Sequence, residues 1–136
     1  MDVETARDFV REHPRAVMAT FRQDGGLQLS PVLVGIDADG RAIVSTRETA
    51  VKAHNLERDP RTSLCVLSEG FYGRWVRLDG TAEIVRLPQA MEPLVDYYRR
   101  VAGEHDDWDD YREAMRREER VLIRVTVQSV GPDVSG

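Results

Sequence analysis

The sequence contains a single cysteine, Cys65, in 136 residues, which excludes an internal disulfide and a metal site built from several cysteines. Its three histidines do not fall at metal-ligand spacing, so we expect no bound metal. The longest strongly apolar stretch, 32–36, is far too short to cross a bilayer, and the acidic first residues carry no secretory signal core. These absences predict one domain over residues 1–136, cytoplasmic and without a membrane partner.

Positive charge is also scarce, because 19 basic residues stand against 24 acidic ones and the formal net charge is −5. That balance argues against a nucleic-acid partner. Residues 41–61 differ from the rest, since five bases against three acids give this stretch a charge of +2. Such a basic island in an acidic chain suits a small anionic ligand. It holds the only lysine, Lys52, whose compact ammonium binds as a point charge, unlike a planar guanidinium.

The hydrophobic pattern is that of a β-rich chain. It predicts six strands, at 15–21, 28–36, 42–45, 62–67, 75–85 and 121–127. It predicts helices at 5–12, at 47–58, from 88 to 103 and from about 107 to 118. Long strands without a βαβ rhythm favour a mainly β fold, a small antiparallel barrel with flanking helices.

Two local signals refine this picture. Gly80, in the middle of the longest strand, indicates a bulge or a barrel bend. Ser45 and Glu48 have capping-box spacing at the start of the second helix, and Thr46 is the alternative cap.

The strongest candidate site lies where the third strand leads into the second helix. Ser45 and Thr46 supply hydroxyls, and the helix start supplies free backbone N–H groups that favour an anion. Lys52 and Asn55 are three residues apart, so both side chains can lie on one helical face. This combination suits a phosphate group. The alternative is a plain amphipathic helix with a solvated Lys52, and spacing alone does not decide between the two.

No self-contained catalytic set accompanies this site. Cys65 lies within a strand pattern, which indicates a buried and inert thiol rather than a nucleophile. We therefore assign no catalytic residue. If the protein is an enzyme, a bound cofactor supplies the chemistry.

Several motifs resemble the split-barrel superfamily of pyridoxamine-phosphate-oxidase-like proteins, which bind flavins and deazaflavins. They are Ser45-Thr46, the stretch 52–61 with its Lys-x-x-Asn-Leu and Asp-Pro-Arg elements, and Gly80-Thr81-Ala82. The stretches 98–115 and 120–123 are similar to a subgroup that binds coenzyme F-420. The resemblance covers about residues 9–131 and implies a six-stranded antiparallel split β-barrel of the FMN-binding type.

The resemblance also implies a function. The implied protein is an F-420-dependent oxidoreductase, in which the reduced deazaflavin gives a hydride to an electron-poor conjugated small molecule. It is implied to be a homodimer with the cofactor at the subunit interface. The implied cofactor-binding residues are Lys52, Asn55, Ser45 and Thr46 at the phosphate, Gln28 and Ser30 at the ring, and Trp75 with the Phe71–Tyr72 loop beside the substrate. Arg47 is a further candidate at the phosphate, since many relatives carry an arginine where this chain has Ala50.

Three alternatives remain open from the residues themselves. FMN also presents a phosphate and a tricyclic ring, so Lys52 and Asn55 do not separate an FMN-dependent oxidase or reductase from an F-420 enzyme. A non-catalytic F-420 carrier fits the absence of an acid–base set equally well. The third alternative is an interaction domain that binds no cofactor.

Overall fold

The computed structural model describes residues 1–132 and 134–136 and contains four helices and seven strands over that part of the chain. The helices are α1 (Val3–Glu12), α2 (Val51–Arg58), α3 (Met91–Ala102) and α4 (Trp108–Arg117). The strands are β1 (Arg15–Phe21), β2 (Leu27–Leu33), β3 (Gly35–Ile36), β4 (Ala42–Arg47), β5 (Arg61–Leu67), β6 (Arg74–Val85) and β7 (Arg120–Ser135). No helix in these residues has the length and apolar character needed to cross a bilayer.

The strands form one antiparallel sheet in the order β2-β1-β5-β6-β7-β4-β3. This is an antiparallel half-barrel with flanking helices, so the predicted fold class is confirmed. The predicted strand 28–36 divides at Val34, whose N–H donates to the Pro14 carbonyl at 2.8 Å. The chain changes partner there, because β2 pairs with β1 whereas β3 pairs with β4. The sheet therefore has seven strands where six were predicted.

Strand β6 bulges at Gly80, as the sequence predicted. Its register with β7 shifts between Asp79 and Gly80. A Cβ atom at Gly80 would lie 2.1 Å from the Thr126 carbonyl oxygen, so a residue with a side chain would force the two strands apart. Bulges of this kind bend a strand and increase the twist of a sheet.

Helix α2 begins at Val51, four residues later than predicted. Strand β4 continues to Arg47 in its ladder with β7, and the Glu48 N–H extends the ladder through a 2.9 Å hydrogen bond. The capping box predicted for Ser45 or Thr46 is therefore wrong, because strand pairing keeps these residues extended. The actual cap position of α2 makes no side-chain hydrogen bond.

Two hydrophobic cores lie on opposite faces of the curved sheet. The first fills the barrel interior together with α1, and the second lies between the sheet and helices α3 and α4. Strand β4 contributes Val44 to the first core and Ile43 to the second. Because side chains alternate along a strand, Thr46 shares the interior face with Val44, while Ser45 shares the helix-side face with Ile43.

Candidate functional site

Two strand edges face each other without pairing. Strand β2 forms one end of the sheet. Strand β4 is covered by the short β3 only along residues 42–43, which leaves residues 44–47 open on that side. Strand β2 comes close to β4 there, yet no ladder joins the two strands within the part of the chain that is described. We call this opening the split.

The split is closed at both ends by side-chain hydrogen bonds. At one end the Tyr97 hydroxyl of α3 donates to the Leu33 carbonyl at 2.7 Å. At the other end the Asn55 amide of α2 donates to the Thr20 hydroxyl at 3.1 Å, beside Gln28 in the β1–β2 register. Gln28 and Leu33 are five residues apart on β2, so the split is about 17 Å long.

Tyr97 also connects the split to strand β4. Burial raises the pKa of the Tyr97 phenol, while hydrogen bonding from the Ser45 backbone N–H and the charge of Arg120 oppose that rise. The phenol therefore lies between the end of β2 and the open side of β4.

Strand β2, which borders the split, carries an unsatisfied polar atom on its interior face. The Ser30 hydroxyl oxygen is buried and has no hydrogen-bond partner among the described residues. Leaving such a group unpaired costs about 1–3 kcal/mol, so a ligand atom that hydrogen-bonds to it gains that much. Gln28 lies two residues away on the same face of the strand. The structure thus places the two predicted ring-facing residues on the interior face of the strand that borders the split.

The backbone of β2 adds acceptors along the same edge. The Leu33 carbonyl points away from β1, since it accepts from Tyr97. Successive residues of a strand direct their backbone groups to opposite sides, so the carbonyls of Leu29 and Pro31 face the split as well. The edge can therefore accept hydrogen bonds from the rim of a flat ring.

Lys52 lies in the first turn of α2 and is the one cation of the region without a fixed partner. It is half-buried and makes no hydrogen bond or ion pair within the described residues. Burial lowers the pKa of its ammonium, and the nearby charge of Arg120 lowers it further. In chain order Lys52 falls between Ser45, at the Tyr97 end of the split, and Asn55, at the other end.

The arginines of the predicted basic island are all engaged in local contacts. Three of its arginines bond to carboxylates, namely Arg41 to Asp37 and Asp39, Arg47 to Glu118, and Arg61 to Asp59. Arg58 donates to the Phe21 carbonyl at 2.7 Å instead. Lys52 is therefore the one cation of the island without a bonded partner among the described residues.

The predicted phosphate-binding set does not converge on one point. Ser45 and Thr46 point to opposite faces of β4, and Thr46 is 5% exposed on the interior side. Asn55 is 4% exposed, and both ends of its amide are engaged, by Thr20 and by Arg58. The arrangement gives Asn55 a structural contact with the sheet, whereas Lys52 retains free donors.

Trp75 lies far from Lys52 within one subunit. It pairs with Leu67 in the β5–β6 register, whereas α2 is attached near Thr20 and Phe21, beside Arg61. Residues 61 and 67 are six positions apart on β5, about 20 Å along the strand. The predicted wall of the substrate space and the predicted phosphate site are thus separate in one copy of the chain.

A continuous apolar surface covers the side of β1, β2 and β5 that points away from the barrel interior; we call it the outer face. Its members are Val17, Ala19, Phe21, Leu27, Leu29, Pro31, Leu33, Cys65 and Leu67. Leu27, Leu29 and Leu33 are 51%, 59% and 45% exposed. A shallow groove of about 450 Å³ crosses this face. At its margin Phe71 and Tyr72 protrude on the β5–β6 loop, 78% and 76% exposed.

Sequence reasoning missed three residues of this region, Thr20, Tyr97 and Arg120. Each meets the site only through folding, since Thr20 is 35 positions from Asn55 and Tyr97 is 64 positions from Leu33. Arg120 lies near Lys52 because β7 pairs with β4. None of the three belongs to a local pattern that indicates a site.

Comparison with known proteins identifies relatives of the whole chain. A family model described as pyridoxamine 5'-phosphate oxidase matches residues 3–132. A conserved hypothetical protein from Mycobacterium tuberculosis is 26% identical, with a TM-score of 0.77 over 100% of this chain and 92% of that chain.

Two further solved structures share the fold. One described as an F-420 reductase is 22% identical, with a TM-score of 0.68 over 90% of this chain and 93% of that chain. A heme-binding protein from Mycobacterium smegmatis is 21% identical, with a TM-score of 0.70. The match covers 94% of this chain and 52% of that protein, so the chain spans about half of its length.

Proposed function

The chain belongs to the pyridoxamine 5'-phosphate oxidase family, and from this premise we propose that it binds coenzyme F-420 in the split and acts as an F-420-dependent reductase of an electron-poor conjugated small molecule. The observation that carries the proposal is a pair of unsatisfied groups, one on the strand that borders the split and one on the helix whose Asn55 contacts β1 beside that strand. Ser30 offers a buried hydroxyl without a partner, and Lys52 offers a half-buried ammonium without a counter-ion.

These residues fit a phosphate-bearing ring cofactor. A tricyclic ring has hydrogen-bonding atoms along one rim, which match the Ser30 hydroxyl and the carbonyls of the β2 edge. Gln28 adds an amide on the same face. Lys52, at the start of α2, then binds the cofactor's phosphate, and the start of the helix also contributes free N–H groups. When bound, the reduced deazaflavin supplies the hydride.

The protein's own groups bind and orient rather than react. Burial raises the pKa of the Cys65 thiol, so this residue stays protonated at neutral pH and is no nucleophile. Tyr97 is committed to the Leu33 carbonyl, and burial raises its pKa. We assign the proton that completes the reduction to solvent. Most of the rate enhancement then comes from holding cofactor and substrate in register.

The proposal includes a homodimer formed through the outer face. The exposed leucines of β2 make an apolar patch that a second copy would cover, as closed two-fold association does in most homo-oligomers. The dimer also explains the position of Trp75, which lies about 20 Å along the strands from the attachment of its own α2. In the proposed dimer, the split of one subunit is bordered by Trp75 and the Phe71–Tyr72 loop of the other, which lie beside the substrate.

F-420 is favoured over FMN by the sequence similarity at 98–115 and by the shared fold of the F-420 reductase. One observation favours FMN. The arginines of the basic island are bonded within the protein, which leaves a single free cation suited to a single phosphate. A non-catalytic F-420 carrier is the third reading, since the site brings no acid–base pair.

The test is a fluorescence titration of the purified protein with F-420 species of different tail length and with FMN, at two salt concentrations. The proposal expects F-420 to bind more tightly than FMN, and binding to weaken at high salt because charge contacts at the rim are screened beyond about 8 Å. FMN binding as tight as F-420 binding, with no effect of tail length or salt, would replace the deazaflavin assignment with the flavin one. Turnover assays with quinones and enones then separate the reductase from the carrier.

A further inference from the structure

Asn55 is buried against the sheet rather than turned to a ligand. It is 4% exposed, and its side-chain N–H donates to the hydroxyl of Thr20, which is 0% exposed. The Asn55 side-chain oxygen accepts from Arg58 at 3.1 Å, and Arg58 also donates to the Phe21 carbonyl. The amide thus joins α2 to the end of β1 through a satisfied hydrogen-bond network.

Helix α2 needs such an anchor. It has eight residues, no side-chain cap and no acidic residue in its first turn, and isolated helices of this length are marginal in water. Its buried Ala53 and Leu56 hold it to the core, but apolar burial is non-directional and fixes the rotation of a helix only loosely. Three side chains of α2 make directional contacts with the strands or the residue after them: Asn55 with Thr20, Arg58 with the Phe21 carbonyl, and Glu57 with Arg86. Of these, Asn55 is the buried one.

Lys52 depends on the same helix for its position. No hydrogen bond or ion pair of its ammonium is found among the described residues, so the position of the ammonium follows from the orientation of α2. Lys52 and Asn55 are three residues apart, and side chains at this spacing are neighbours on the helix surface. The anchor therefore acts one helical turn away from the ammonium.

We propose that Thr20 and Asn55 are positioning residues whose hydrogen bond orients α2 and thereby holds the Lys52 ammonium at the split to receive an anionic ligand. The ligand part of this inference rests on the proposed function. It gives Asn55 of the Lys-x-x-Asn element a role different from that of a direct phosphate ligand. It also brings Thr20, from a distant strand, into the site.

Thr20→Val tests the inference, with Thr62→Val as the matched control. Valine keeps the shape of threonine and removes the hydroxyl. Thr62 is also buried, 4% exposed, on the neighbouring strand, and its hydroxyl donates to the Ala19 carbonyl of β1 at 2.8 Å rather than to a residue of α2. Each variant loses one side-chain hydrogen bond, that of Thr20 to α2 and that of Thr62 within the sheet, so thermal unfolding of the two shows any general loss of stability.

Binding is measured by titration with F-420 and with FMN as probes. We expect Thr20→Val to raise the dissociation constant about tenfold and Thr62→Val to change it less than twofold. In a Lys52→Met background, Thr20→Val should have no further effect, because its action runs through the ammonium. An equal loss from both threonine variants, or the same loss in both backgrounds, overturns the inference.

A second measurement needs no ligand. Lys52 is the only lysine, so its ε-carbon gives a single side-chain signal whose titration can be followed by NMR. The wild-type pKa should lie below that of a free lysine; Thr20→Val should move it back toward the ordinary value, and Thr62→Val should not. An unchanged titration in Thr20→Val overturns the positioning role. If wild-type protein binds neither probe, the proposed function fails, while this titration still decides the role of Thr20.

Discussion

Replacing Lys52 with methionine separates binding from folding. Methionine keeps an unbranched apolar stem and a good helix propensity while removing the ammonium. In the fold this ammonium is half-buried without a partner, and burial lowers its pKa, so the folded state gains nothing from the charge. We expect the free energy of unfolding at neutral pH to be unchanged or slightly higher in Lys52→Met.

The pH dependence of stability has a definite sign. A lowered lysine pKa means that the fold disfavours the protonated form, so the cost is full at neutral pH, begins to fall as pH rises through the lowered pKa and is gone above the ordinary lysine pKa of the unfolded chain. Lys52→Met removes that cost at every pH. The stability of the two proteins should therefore converge at alkaline pH, and denaturant unfolding at a series of pH values measures the convergence.

Binding should respond far more strongly than stability. A charge-assisted hydrogen bond to a phosphate is worth about 1.5–3 kcal/mol, which is roughly 10- to 150-fold in the dissociation constant. Lys52→Arg keeps the charge, but its planar fork needs more room than a half-buried ammonium, so it should recover only part of the affinity.

Fluorescence titration with F-420 and FMN measures the loss, and Arg61→Met is the control. Arg61 belongs to the same basic island, but its guanidinium lies 2.7 Å from an Asp59 carboxylate oxygen. Its removal should leave affinity within twofold of wild type. Unchanged affinity in Lys52→Met, or an equal loss in Arg61→Met, would refute the assignment of the free charge to Lys52.

Three further predictions concern the split, the outer face and the sheet. Ser30→Ala removes a buried hydroxyl without a partner, so the free protein should be as stable as wild type or about 1 kcal/mol more stable. Binding of the cofactor ring should weaken. Calorimetry measures the stability and titration measures the binding, and a destabilised variant with unchanged binding would contradict both expectations. Wild-type protein should sediment as a dimer of about 31 kDa, twice 15.4 kDa, and Leu29→Glu should shift it to monomer; a monomeric wild type at micromolar concentration excludes the shared site. Gly80→Ala places a methyl group 2.1 Å from the Thr126 carbonyl oxygen, so it should cost about 1–3 kcal/mol in thermal unfolding, and an unchanged midpoint would show that β6 and β7 separate without penalty.

Much of the fold was predictable because its signals are local. Alternating residues marked the strands, and Gly80 marked the bulge by its position alone. The start of α2 and the break at Val34 were not predictable, because each depends on a distant strand. Arg47 stays extended through its pairing with β7, and Val34 turns to reach the Pro14 carbonyl.

The candidate site was predictable only where composition singled out a residue. Lys52 stood out as the sole lysine in a basic stretch. The net positive charge of that stretch is lower in the fold than its own residues indicate, because Asp37 and Asp39, just upstream, form ion pairs with Arg41. Tyr97 and Thr20 resemble ordinary core residues in the sequence, and only the fold shows that their hydroxyls close the two ends of the split.

The open edge of β2 carries a hazard as well as a site. An unpaired strand edge can accept a strand from another molecule, and such additions build aggregates. Pro31 lies in the middle of this edge, and its ladder with Val17 is intact, so the side on which it lacks an N–H is the side that faces the split. A strand that added to this edge would lack one backbone N–H donor at Pro31. Pro31 thus makes this edge a poor template for an added strand.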